Sequence, residues 1–194
     1  MMSFRILAAT IGLAGVLSAC DNTTIGSFTV DEDLPETRVE GGGFVTILPA
    51  ELAPFNLNIE ASEEFGAEQY DYLTYIKLSS LSFSITASSE DADEDVAENG
   101  MPDDFDFLSS IALYIEASID GTEQRALIAS LAQNDTQLSS GMQNIQLSTT
   151  GVDILDFVEA DDGYTIVSEV SGTAPPDAVI FDGSSSYRVG VGFR

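Results

Sequence analysis

The densest group of potentially reactive side chains is Asp91-Ala92-Asp93-Glu94-Asp95, followed by Glu98, Asn99, Asp103 and Asp104. Alternating aspartates present several hard oxygens to Ca²⁺, which makes Asp91, Asp93 and Asp95 the candidate ligands. The spacing departs from a helix–loop–helix calcium loop. Val96 stands where the turn glycine belongs, and Pro102 where the closing glutamate belongs. The plainer reading is a solvated acidic loop, residues 88–106, with nine acids and no base, held open by like-charge repulsion. Paired carboxylates also hydrolyse glycosidic bonds, but that chemistry depends on their separation in space. Among 33 acids no pair stands out.

Other chemistries lack their parts. The chain has no histidine, which removes Ser-His-Asp and Cys-His machinery and His-ligated zinc. It has no Gly-x-Ser-x-Gly elbow, P-loop or dinucleotide glycine fingerprint. The one lysine, Lys77, makes no Ser-x-x-Lys pair because Thr74 precedes it by three; it reads as a surface strand residue. No catalytic residue, resident metal or cofactor is expected.

The single cysteine, Cys20, closes a distinctive amino-terminal pattern. Arg5 gives a short positive start, residues 6–16 are apolar or small, and Leu17-Ser18-Ala19-Cys20 follows. This apolar run is well short of the ~20 residues that a membrane-spanning helix needs, and the layout is that of an export signal. Its last four residues resemble the lipobox of bacterial lipoproteins. The resemblance implies removal of a signal peptide, residues 1–19, and attachment of palmitate-like chains to Cys20 at its sulfur and amine. Each buried methylene contributes about 0.8 kcal/mol, and stable anchoring takes more than one chain. The membrane is thus the expected partner of acylated Cys20, in the cell envelope outside the cytoplasm. Asp21 resembles the signal that keeps such proteins at the periplasmic face of the inner membrane, with the outer membrane as the alternative. Once Cys20 is acylated, no thiol remains for a disulfide.

Without residues 1–19 the chain keeps 33 acids against 5 bases, or −28 from side chains. Such a charge argues against nucleic acid, whose binding rests on neutralising phosphates, and against adhesion to anionic lipid. A solvated surface suited to salty surroundings fits the scarcity of lysine; the sharper alternative is binding of cations or a basic partner. At 44% hydrophobic residues, the chain is too apolar to be disordered throughout.

Period-2 alternation dominates and argues for half-buried strands. Phe55, Leu57 and Ile59 form one stripe; Leu81, Phe83 and Ile85 another; Ile111, Leu113, Ile115, Ala117 and Ile119 a third. Ile76 and Leu78 run in the opposite phase to Leu81, so a bulge near Ser79-Ser80 is expected to bring both groups to one face. Tyr187, Val189, Val191 and Phe193 form the last stripe. Residues 126–131 read as a central strand, with further strands near 25–30, 44–48, 144–149, 164–171 and 178–182. Asp120-Gly121 and Asp182-Gly183 each read as a two-residue hairpin turn. Residues 153–160 suggest a helical turn, and residues 63–73 fit either helix or loop.

The expected fold is therefore all-β, an antiparallel β-sandwich of roughly 8–10 strands after the signal peptide. An eight-stranded outer-membrane barrel is the lesser alternative, because the chain has no tryptophan and few tyrosines for interfacial girdles. The expected organisation is a signal peptide at 1–19, a lipidated acidic and glycine-rich tether at 20–43 with room for one strand at 24–30, and the sandwich at 44–194. A tether of that length would hold the domain some 25 Å from the membrane.

Pro102-Asp103-Asp104-Phe105-Asp106-Phe107-Leu108-Ser109-Ser110-Ile111, together with Ser171-Gly172-Thr173-Ala174-Pro175 and Phe181-Asp182-Gly183, resembles a group of uncharacterised exported lipoproteins. The resemblance implies an all-β exported domain and supplies no activity. The functional expectation is a non-enzymatic structural or binding module whose partner is an unknown envelope protein or glycan. The alternatives are a calcium-dependent adhesion module and a carboxylate-based envelope hydrolase. Because salt screens self-repulsion, the melting temperature should climb from low to molar salt. A flat or falling trend in circular dichroism would contradict the solvated-surface reading.

Overall fold

Alternation puts one row of each strand toward a shared core, and two sheets result. A computed structural model describes residues 24–41, 72–87, 103–132, 135–175 and 178–192. The strands are β1 (Thr24–Val39), β2 (Tyr72–Ile85), β3 (Leu108–Ile119), β4 (Thr122–Leu131), β5 (Asn144–Gln146), β6 (Ser148–Thr149), β7 (Tyr164–Gly172) and β8 (Val179–Gly192). One sheet has the order β1-β8-β2-β5 and the other β6-β4-β3-β7. Every pairing is antiparallel, and the sheets pack face to face as a sandwich. Each keeps two edge strands, so the described residues form no closed barrel.

The core lies between the sheets. Ile76, Leu81, Ile115, Ala129, Ile154 and Val189 are fully buried. Burial of each Val, Leu or Ile side chain contributes about 1.5–3 kcal/mol. The bulge expected near Ser79 is present: Leu78 faces Tyr187 and Ser80 faces Ser186, leaving Ser79 as the extra residue. That insertion turns Leu78 and Leu81 to the same side, and both are buried. Asp120-Gly121 makes the tight turn of the β3–β4 hairpin, with positive φ at both residues (52° and 73°) and Ile119 opposite Thr122.

Three expectations are corrected. Asp182-Gly183 is not a turn; β8 runs through it unbroken from Val179 to Gly192. Gly183 is there for close approach instead. A Cβ on it would lie 2.6 Å from the Ser82 carbonyl oxygen and 2.8 Å from Phe83 Cδ1. The acidic stretch after residue 30 is not a tether either, because β1 extends to Val39 and pairs with β8 along its length. Leu34 and Val39 of this stretch are buried, while Asp31 and Asp33 are exposed on the outer row. An edge strand tolerates both Pro35 and such charges, and the register shift between Leu34 and Thr37 hides the alternation. Finally, residues 144–149 form two strands. β5 pairs with β2 and β6 with β4, so the chain changes sheets at Leu147, whose N–H donates to the Leu81 carbonyl at 2.9 Å.

The helical turn appears as α1 (Leu155–Val158). Its buried residue is Phe157, preceded by the fully buried Ile154, with Leu155 and Val158 only packed against the core. Asp153 pins it: Oδ1 accepts from the N–H of Ile76 at 3.0 Å and of Leu155 at 3.1 Å. The strands expected at 44–48 and 55–60, and most of the 63–73 segment, lie outside the described residues.

The sandwich has two distinct ends. The hairpin end holds Thr24, Gly192, the Asp120-Gly121 turn and α1. The loop end holds Val39, Val179, Leu108 and residues 139–143. Because the Gly183 site has no room for a methyl group, Gly183→Ala should cost about 1–3 kcal/mol through forced repacking, read from urea denaturation. A variant as stable as the parent would contradict the close approach of β2 and β8.

Candidate functional site

The acidic segment enters the described structure at Asp103 and is anchored at the loop end by the aromatic residues between its acids. Phe105 and Phe107 are buried, whereas Asp106 between them is exposed. The Phe105 ring lies 6.2 Å from Phe107 and 5.7 Å from Phe181, and Phe181 meets Phe83 edge-on at 5.8 Å. The backbone follows: Phe105 N–H donates to Met142 at 3.1 Å, and Thr173 N–H to Phe107 at 2.8 Å. Four loop-end segments are thus tied together around one aromatic cluster.

Asp104 completes the tie. Its carboxylate accepts from the N–H of Asp106 at 3.0 Å and from the N–H of Gly141. Partial burial works against its ionisation, but these backbone donors prevail and hold its pKa below the usual carboxylate value. Asp106 moves the other way, raised by partial burial and by the adjacent Asp104. The two carboxyls therefore divide their roles: Asp104 stays charged as a structural acceptor, and Asp106 takes up a proton more readily.

Behind the cluster is an apolar void of about 20 Å³, lined by Phe83, Ile111, Leu113, Ile145, Val170 and Ser168 among others. Water needs roughly 10–15 Å³ and two to four polar partners. The Ser168 hydroxyl is the one polar side chain in that lining, and it has no hydrogen-bond partner. The void is an apolar gap in packing.

A second polar group lies on the inward rows of β1 and β8. Glu32 is paired in register with Ser185, whose buried hydroxyl also has no partner in hydrogen-bond geometry. Burial raises the pKa of Glu32. Burial likewise pushes the nearby Tyr187 phenol far above its ordinary range. Nothing in the sequence pattern singled out Glu32, because one carboxylate among so many carries no signal. Its in-phase position between Val30 and Leu34 was the clue.

On the outer face of the other sheet, Arg125 stacks on Tyr114 with its guanidinium carbon 3.7 Å from the ring centre. It also pairs with Glu116 at 3.0 Å and Glu169 at 2.6 Å. This exposed clasp joins β4, β3 and β7 and leaves the cation engaged. Lys77 is a strand residue on the outer row of β2, as expected, with its ammonium 5.3 Å from the Tyr75 ring centre. Cys20, Asp91, Asp93 and Asp95 lie outside the described residues. Among the described residues no three His, Cys, Asp or Glu side chains gather as a metal site, and no helix is long and apolar enough to cross a membrane.

Comparison with known proteins adds little. No protein-family description matches the chain, and no curated protein does. Among solved structures, a chain of Desmodium yellow mottle tymovirus aligns over 100% of this chain and 98% of its own, at 10% identity and a TM-score of 0.22. A likeness that loose supports no statement about this chain.

The loop-end tie has a pH signature. A carboxylate whose folded pKa is lowered contributes stability above its unfolded pKa and loses it as pH falls through the folded value. Asp104→Ala should therefore cost about 1–2 kcal/mol near neutral pH from its lost hydrogen bonds. The difference from the parent should fade in strongly acidic solution, as read from melting curves across pH. A difference independent of pH would contradict the role assigned to its charge.

Proposed function

We propose that this chain is a lipid-anchored cell-envelope protein whose β-sandwich is a non-enzymatic structural or binding module. The observation that carries the reading is the pattern Arg5, apolar 6–16, Leu17-Ser18-Ala19-Cys20, with the only cysteine of the chain at the acylation position. Two features of the fold support it. The sandwich begins at Thr24, directly downstream of the proposed anchor, so nothing but a short connector separates lipid from domain. The void behind the aromatic cluster is apolar, and the nearby Asp104 carboxylate is engaged in holding loops together.

In this reading the loop end is the recognition face, where loops positioned by a rigid scaffold gather. Its partner is an envelope protein or a glycan, approached by the acidic segment 88–106. The periplasmic face of the inner membrane is the location that Asp21 favours.

Mass spectrometry of the protein extracted from membranes tests the anchor. The expected mature chain starts at Cys20 and carries the added mass of acyl chains, and Cys20→Ser should abolish both the cleavage and the added mass. An intact Met1, or an unmodified Cys20, would overturn the reading.

A further inference from the structure

We propose that the sandwich stands end-on at the membrane, with its hairpin end toward the lipid and its loop end directed away. This rests on acylation of Cys20 as proposed above. Chain length sets which end is held. β1 is paired with β8 from its first residue, Thr24 opposite Gly192, and the Thr24 hydroxyl meets that of Thr74 at 2.8 Å. Only Asp21, Asn22 and Thr23 separate this paired residue from Cys20. At full extension those four steps reach about 14 Å, so the hairpin end cannot move farther than that from the acyl chains. β2, with 14 residues, carries the sheet about 45 Å from one end to the other.

Charge then decides between standing and lying. Asp120, Glu123, Asp156, Glu159, Asp161 and Asp162 are exposed at the hairpin end. Asp31, Asp33 and Glu36 are exposed along edge strand β1. Among the described residues the one exposed large apolar side chain is Met142, at the loop end, so the long sides offer lipid no apolar patch. The acids of edge strand β1, which an anionic surface repels, together with long sides that offer lipid no apolar patch, favour the posture in which only the tethered tip lies near the surface. The acidic segment that enters at Asp103 is then displayed about 40 Å beyond the headgroups, the length of twelve-residue β3.

The acylated mature chain suits a direct test, because with Cys20 blocked an introduced cysteine is the only free thiol. Asp161→Cys at the hairpin end and Ser140→Cys at the loop end are both exposed positions. Each variant is labelled with a fluorescent donor and reconstituted in vesicles of phosphatidylethanolamine and phosphatidylglycerol containing a headgroup-labelled acceptor lipid. Energy transfer should be efficient from position 161 and several-fold weaker from position 140. Equal transfer from both positions, or stronger transfer from 140, in protein that floats with the vesicles would overturn the orientation while leaving the anchor intact. Acylated protein that fails to float would overturn the anchor, and the orientation with it.

Discussion

The first sheet depends on β8 being hydrogen-bonded along both of its edges. Thr24 to Val39 pair with one edge and Tyr72 to Ile85 with the other, so among the described residues β1 has no other partner, and β2 has besides β8 only the three-residue β5. The inward row of β8, from Phe181 through Tyr187, Val189 and Val191, also supplies its side of the core. The requirement is severe, because Thr24 and Gly192 stand at opposite ends of the described chain. Loop-closure entropy grows only by about 0.6 kcal/mol per doubling of length, so the stability cost is modest, but contacts of such separation slow folding. With a single cysteine in the chain, no intrachain disulfide offsets that cost.

Where the sequence was legible, a local rule and a packing demand coincided. Asp120-Gly121 is a turn because its neighbours pair at once in register, and its residues adopt the positive φ that the pair favours. The bulge at Ser79 was visible because two apolar stripes were out of phase and both had to reach one core. Where the reading failed, identical residues answered a different demand. Asp182-Gly183 has the same composition as the true turn, yet Gly183 is selected by the nearness of Ser82 and Phe83, contacts that no local window contains. β1 escaped because its outer row is acidic, its inner row includes Glu32, and the shift near Pro35 breaks the period. Residues 144–149 looked like one strand because Ile145 and Leu147 are both buried; burial between two sheets does not say which sheet a residue pairs with. Of the candidate site, the acidic segment was plain from composition. The tie at Asp104 was not, since its donor Gly141 lies in a distant loop.

Charge has an architectural role here besides solvation. The exposed acids of β1 lie on an edge strand, where open N–H and C=O groups would otherwise invite another chain, and Pro35 breaks the same edge. On the second sheet the clasp of Arg125 with Glu116, Glu169 and Tyr114 spans three strands. Exposed pairs of this kind are screened by solvent and add little to stability, so the clasp's value is in fixing register. Inside the sandwich the pattern reverses. The buried hydroxyl of Ser168 lacks a partner, at a cost of about 1–3 kcal/mol, the Ser185 hydroxyl is buried beside Tyr187, and Glu32 is held where burial opposes its charge.

These costs fall on the side of the sandwich bordered by β1 and β7, the two long edge strands, whereas the aromatic cluster of Phe83, Phe105, Phe107 and Phe181 binds the loop end firmly. The two ends also differ in how they are closed. At the hairpin end Ile154, just before α1, and Phe157 within it are buried between the sheets, with Asp153 fixed to the backbone of β2, beside the two-residue β3–β4 turn. At the loop end the connections converge on Phe105 and Asp104, whose ring and carboxylate bind residues 103–107 to their neighbours. The two ends are thus closed by different means, one by an inserted helical turn and the other by an aromatic cluster and a carboxylate tie. The length of the strands separates them, so the loops at one end can vary in sequence without disturbing the core or the other end.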